Sequence, residues 1–190
     1  ITGDITGNGN EDAAAAITGD LNVTDADGVA DGTVFSVTAA AAHGTATIDA
    51  ATGAWSYTPV ADYNGADSFT VTITDDAGNT TTRAISLTVA AVVDIANDTA
   101  STDEDTNLVV PVATLLGNDS FEGTPTVTAV GGAVNGTVSL SGGNITFIPT
   151  PGYNGAASFT YTVTSPAGVT ETATVNVTVN PVDDPSTITG

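Results

Sequence analysis

Cationic residues are all but missing from this chain. Arg83 is the single lysine or arginine among 190 residues, set against 22 aspartates and glutamates, for a formal net charge of -21. A nucleic-acid or anionic-membrane partner is thereby excluded, since neither phosphates nor headgroups would meet an opposing charge. Cysteine and methionine are absent. Disulfides and thiolate metal sites are excluded with them, a usage that fits a secreted chain managing without disulfides. The one histidine, His43, cannot supply a histidine-based zinc site or a pair of imidazoles for acid–base work. It sits in an Ala-rich turn with no GxSxG elbow anywhere, so we expect an exposed loop residue. Carboxylate pairs can cleave glycosides, but here the acids fall in turns and linkers. The chain does not read as an enzyme. Aromatics are few, and Trp55 and Tyr57 share one strand face, which places them in a core instead of on a sugar-stacking platform. No run of eighteen apolar residues occurs, so no membrane insertion is expected. The chain opens in mid-pattern at Ile1-Thr2-Gly3 without a signal peptide, and we expect an excerpt of a longer protein.

What the chain does contain is alternation, said twice. YNGADSFTVTITDDAGN at 63–79 returns as YNGAASFTYTVTSPAGV from Tyr153, ninety residues on. Each copy begins with an Asn-Gly turn. Phe69, Val71 and Ile73 then face one way and Ser68, Thr70, Thr72 and Thr74 the other. After the Asp75–Asn79 turn, Ile85, Leu87 and Val89 alternate in the same manner, which predicts a β-hairpin closing each unit. Further strands are predicted near 33–38, 45–50 and 54–58, ended by Pro59. Ala13 to Ala16 has helical propensity but is short, and we read it as extended. Val112 to Leu116 reads as one helical turn. About seven short strands per ninety residues predict an all-β chain of two tandem Ig-like Greek-key β-sandwiches, divided 1–94 and 95–190.

The hairpin also gives the acids a direction. Asp67 before its first strand and Asp75 after it should lie roughly 24 Å apart, at opposite ends of the domain. The returning strand leaves at the Asp67 end, where the chain continues into Asp94, Asn97 and Asp98. Glu11, Asp12 and Asp67 from the first unit, Asp94, Asn97 and Asp98 from the linker, and Asp119 from the second unit form a candidate oxygen-rich Ca2+ site. Without a cation, such a cluster would repel itself. The competing reading is that Asp and Asn are ordinary turn formers in water. Concentration of the acids at one pole favours the metal. Asp25, Asp27, Asp75 and Asp76 form a second set at the opposite pole. The second unit departs from the first at four aligned positions. Phe121 stands for Asp27, Ala157 for Asp67, Ser165 for Asp75 and Pro166 for Asp76, with Glu122 a substitute acid; partial ion binding is expected there.

Taken together, Glu11-Asp12, Asp25-x-Asp27-Gly28, YxP at 57–59, YNGADSF at 63–69 and the Asp75-Asp76-Ala77-Gly78 turn carry a family resemblance. NDTASTDEDT at 97–106, LLGND at 115–119, YNGAASF at 153–159 and the DDP exit at 183–185 carry it through the second unit. The chain resembles the cadherin-like, VCBS-like and tandem-95 repeats of large bacterial surface proteins, including RTX-type adhesins. The resemblance implies Ig-like sandwiches strung as stalks, with calcium stiffening the junctions of the calcium-binding members. It adds Glu104, which matches Glu11, and Asp184 of the exit segment to the candidate ligands. It implies extender repeats of an extracellular, biofilm-type adhesin. Their partners would be neighbouring repeats of the same chain, and a glycan or cell-surface ligand would be reached through other domains; the chain itself is expected to be monomeric. A binding module for polysaccharide or a like repeat is the second reading.

Overall fold

The structure, a computed structural model, describes residues 1–24 and 34–183. It divides into two units, Ile1–Val92 and Val93–Gly190. In the first, β1 (Thr2–Gly3), β3 (Ile17–Asn22), β6 (Ala54–Pro59) and β5 (Gly44–Ile48) form one sheet in the order β1-β3-β6-β5. The other sheet is β2 (Thr6–Asn10), β8 (Thr80–Ala90), β7 (Gly65–Thr74) and β4 (Phe35–Ala39), in the order β2-β8-β7-β4. The second unit repeats the plan. A sheet of β10 (Leu108–Pro111), β13 (Asn144–Pro149) and β12 (Gly136–Ser141) accompanies one of β11 (Thr126–Val134), β14 (Gly155–Thr164), β15 (Thr170–Asn180) and β9 (Asp98–Asp103). A single helical turn, α1 (Val112–Leu115), stands where the sequence predicts it and runs into a 3-10 turn, Leu116–Asn118. Residues 13–16 form no helix and lead as a bend into β3.

Each unit is a sandwich of Ig-like topology. The period-2 alternation of the closing hairpin holds throughout: Phe69, Val71, Ile73, Ile85, Leu87 and Val89 are buried, with Trp55 and Tyr57 facing them from the other sheet. Trp55 meets Phe69 edge-on at 5.7 Å, and Phe147 stacks on Phe159 at 5.8 Å in the second core. Outward positions of β7, β8, β14 and β15 are mostly Ser and Thr. Neighbouring hydroxyls pair across strands, Thr38 with Thr72 at 2.7 Å and Thr162 with Thr172 at 3.0 Å. Such cross-strand Thr pairs favour the sheet without bringing charge onto its face.

One pairing decides where the acids go. The first long strand of each unit runs parallel to the last, β2 beside β8 and β9 beside β15. Parallel partners end at the same pole. The residue after each first strand is therefore delivered to the place where the chain leaves the unit. Glu11 donates its N–H to the carbonyl of Ala90 at 3.0 Å, and Glu104 donates to Asn180 at 2.8 Å.

Candidate functional site

At the carboxy-terminal pole of the first unit, Glu11 is buried although its side chain is polar. One oxygen accepts the Val92 N–H at 2.6 Å, and the other accepts the Asn64 side-chain amide at 3.1 Å. Asp12 beside it has φ of 57° and accepts the N–H of Asp62 at 3.0 Å. Asp62 is itself buried and left-handed, with φ of 55°. Asp tolerates that backbone better than most side chains, at a cost of about 1 kcal/mol against glycine. The second unit builds the same pole with Glu104, whose oxygens accept Val182 N–H at 2.6 Å and Asn154 at 3.4 Å. Asp105, with φ of 58°, accepts the N–H of Gly152. Gly152 occupies the position of Asp62, so glycine serves where only the turn matters. The first unit keeps an acid there.

At the amino-terminal pole of the second unit, four acids converge. Glu171, at the start of β15, accepts the N–H groups of Asp94 and Ile95 at 3.1 and 3.0 Å. Asp94 is buried and accepts the Ser120 hydroxyl at 2.9 Å. Asp98 accepts the Tyr161 hydroxyl at 2.8 Å, and Asn97 takes the Thr174 N–H on its side-chain oxygen at 2.8 Å. Asp119 accepts the Ala96 N–H through one oxygen at 2.8 Å. Its other oxygen is buried and receives no hydrogen bond. Burial pushes Asp119 above the ordinary carboxylate range, with the charges of Asp98 and Glu171 adding to the rise. Burial raises Asp98 as well, against the Tyr161 and Asn118 hydrogen bonds that pull it down. Burial drives the Tyr161 hydroxyl upward too, followed by its bond to Asp98. A desolvated carboxylate with like charges around it and no donor on one oxygen is chemically suited to a hard cation.

Other predicted ligands have different surroundings. Asp67 is the third residue of β7, and its two oxygens accept Ala42 N–H, His43 N–H, Ser68 N–H and the Tyr57 hydroxyl, all between 2.8 and 3.0 Å. Burial works to raise it, but these donors together outweigh that and hold it below the usual range. The second unit loses donor and acceptor together: Phe147 replaces Tyr57 and Ala157 replaces Asp67, both buried. Asp75 accepts both the N–H and the side-chain amide of Asn79, at 2.7 and 2.9 Å. Asp25, Asp27 and Asp184 lie outside the described residues. Phe121 packs against the second core, and Ser165, in place of Asp75, is buried with its hydroxyl unbonded. His43 is exposed and lies flat on Tyr63, centroids 4.1 Å apart.

Sequence reasoning did not single out Asp62 or Glu171. For Asp62 the signal was its replacement by Gly152 in the otherwise matching repeat. For Glu171 it was the rarity of glutamate, four among 22 acids, of which three bind backbone N–H groups.

Residues 1–91 match the family model of the bacterial cadherin-like domain, and residues 90–178 that of the bacterial Ig domain. The chain is a tandem of these two domains. No curated protein matches it. Among solved structures it is similar to an endo-fucoidan hydrolase of glycoside hydrolase family 107, at 20% identity over 96% of this chain and 28% of that one, with a TM-score of 0.38. It is also similar to the human desmocollin-1 ectodomain, at 13% identity over 94% and 40% and a TM-score of 0.36. Chicken VE-cadherin EC1-2 aligns at 12% identity over 92% and 97%, with a TM-score of 0.34. The tandem thus spans well under half the length of the first two. No described helix is long and apolar enough to cross a membrane.

Proposed function

We propose that this cadherin-like and Ig-like tandem is an extender segment of a large extracellular bacterial adhesin, its domain ends joined and stiffened by Ca2+. The observation that carries the reading is Asp119, with a buried oxygen lacking any donor and Asp98 and Glu171 adding negative charge around it. Asp98, Asp119, Asp94 and Asn97 would hold the ion at the amino-terminal pole of the Ig-like domain. Glu11, Asp12 and Asp62 form the acidic end of the cadherin-like domain, and Glu104 with Asp105 repeats that end. The linker is tied by carboxylates on both sides, Val92 by Glu11 and Asp94 by Glu171. A cation would neutralise groups that burial now disfavours as anions, and it would add stability by binding the folded state alone. Neither domain type is ordinarily catalytic, and we assign the chain no reaction.

Calorimetric titration with Ca2+ and thermal melting in calcium and in chelator test the proposal. At a hundredfold excess over the dissociation constant, calcium should add about 2.7 kcal/mol. Asp119→Asn should bind calcium at least tenfold more weakly while melting no lower than the parent in chelator, because it removes a buried charge. Identical melting of the parent chain in calcium and chelator would overturn the reading.

A further inference from the structure

Each domain sets one fully buried tyrosine against an aspartate, and the two pairs differ in what they leave open. In the cadherin-like domain the pair is Tyr57 and Asp67; in the Ig-like domain it is Tyr161 and Asp98, at 2.8 Å. A carboxylate offers about four acceptor sites. Those of Asp67 are filled by Ala42, His43, Ser68 and Tyr57. Asp98 receives only Tyr161 and the Asn118 side chain among the described residues. Asp67 is closed, while Asp98 has acceptor sites to spare.

The strand registers also show that Tyr161 and Asp98 occur as a unit. Val71 stands in the first domain where the second has Tyr161, and Ile5 stands where it has Asp98. An apolar pair thus takes the place of the polar one. The Tyr161 hydroxyl carries one hydrogen and has two acceptors within reach, Asp98 Oδ2 at 2.8 Å and the Ala96 carbonyl at 3.2 Å. The shorter contact, to a carboxylate, takes it. Ala96 in turn gives its N–H to Asp119 at 2.8 Å. Residues 96–98 therefore hang between the phenol of Tyr161 and the carboxylate of Asp119. A ring packed into a core holds one orientation, so a carboxylate bonded to it is ordered before any ion arrives.

We propose that Tyr161 is a positioning residue for the cation at the amino-terminal pole of the Ig-like domain, its buried hydroxyl holding Asp98 ready as a ligand. The inference rests on the calcium reading above and adds that the ligand geometry is set from inside the core. The cadherin-like domain has no such device at the equivalent place, where Val71 and Ile5 stand.

The test is calorimetric Ca2+ titration of the whole chain as parent, Tyr161→Phe, Asp98→Asn and the double variant. Melting in chelator checks that each is folded; an apolar side chain suits position 161, since Val71 fills its counterpart. At the site that Asp119→Asn weakens, Tyr161→Phe should bind roughly tenfold more weakly, the scale of one hydrogen bond to a charged group. The double variant should bind no more weakly than Asp98→Asn, because the hydroxyl acts through that carboxylate alone. Tb3+, which occupies oxygen sites of this kind and luminesces when a nearby tyrosine is excited, gives a second readout. Its emission should fall in Tyr161→Phe even when the variant is saturated. Unchanged calcium affinity in Tyr161→Phe, fully additive losses, or undiminished terbium emission would each overturn the positioning role and leave the calcium reading standing. Absence of calcium binding by the parent chain would overturn both.

Discussion

Asp67 and Asp119 show what surroundings do to one side chain. Four donors converge on Asp67, one of them the hydroxyl of Tyr57, whose own ionisation burial and Asp67 suppress. Tyr57 and Asp67 change together to Phe147 and Ala157 in the second domain, as a coupled pair should. Tyr57→Phe and Asp67→Ala should each cost about 1.5–3 kcal/mol in denaturant unfolding, the scale of a hydrogen bond to a charged group. The double variant should cost clearly less than their sum; full additivity would refute the coupling. The pH response follows from opposite signs. Asp67, held low, contributes stability above its unfolded value that is lost as pH falls through its folded one. Asp98 and Asp119, held high, cost stability at neutral pH that returns as pH falls through their raised values. In chelator, acidification from pH 7 towards the raised values of Asp98 and Asp119 should therefore strengthen the Ig-like domain. Trp55, the single tryptophan, reports the first domain by fluorescence, and circular dichroism reports both.

At the scale of strands, the closing hairpins were legible because each is half-buried, so Phe69–Ile73 and Ile85–Val89 display their faces in the alternation itself. The parallel pairing of β2 with β8 was not, since nothing local in Thr6–Asn10 announces a partner eighty residues away. Yet that pairing brings Glu11 to Val92. Read from the sequence, the acids gather at the ends of domains, and particular ligands cannot be separated from capping and turn residues: Asp67 and Asp75 look like Asp98 until their donors are counted. Packing between neighbouring strands of one sheet imposes another silent constraint. Gly44 and Gly136 start the strands β5 and β12, and a Cβ there would lie 2.4 Å from the rings of Tyr57 and Phe147 and 2.5–2.6 Å from a backbone oxygen. Gly136→Ala should lower stability by about 1–3 kcal/mol, the usual cost of overpacking. Gly142→Ala is no simple control, since its φ of 58° carries its own strain despite open space around it. Combining Gly136→Ala with Phe147→Leu should cost less than the sum of the two single changes, since both act on one contact, while the backbone oxygen of Ile148 still opposes the added methyl.

Across the whole molecule, charge and surface are segregated. Among the described residues most acids lie at turns and strand ends, while sheet faces present hydroxyls, so a net charge of -21 is compatible with closely hydrogen-bonded strands. The same scarcity of cations leaves proteases that cut after lysine or arginine with one target. The Arg83–Ala84 bond lies inside β8, opposite Val71 and Thr70 of β7, and an extended bond already paired in a sheet cannot enter a protease cleft. Trypsin should leave the folded chain intact for as long as β8 stays in place. Once the cadherin-like domain opens, it should produce only two pieces, residues 1–83 and 84–190. The rate of that single cut, followed on a gel with and without calcium, would give the opening rate of the first domain at protease concentrations where cleavage outpaces reclosing, and its open population at lower ones. A segment of this composition resists such digestion by having almost nothing to cut, and its one scissile bond is hidden in the strand that carries its only arginine.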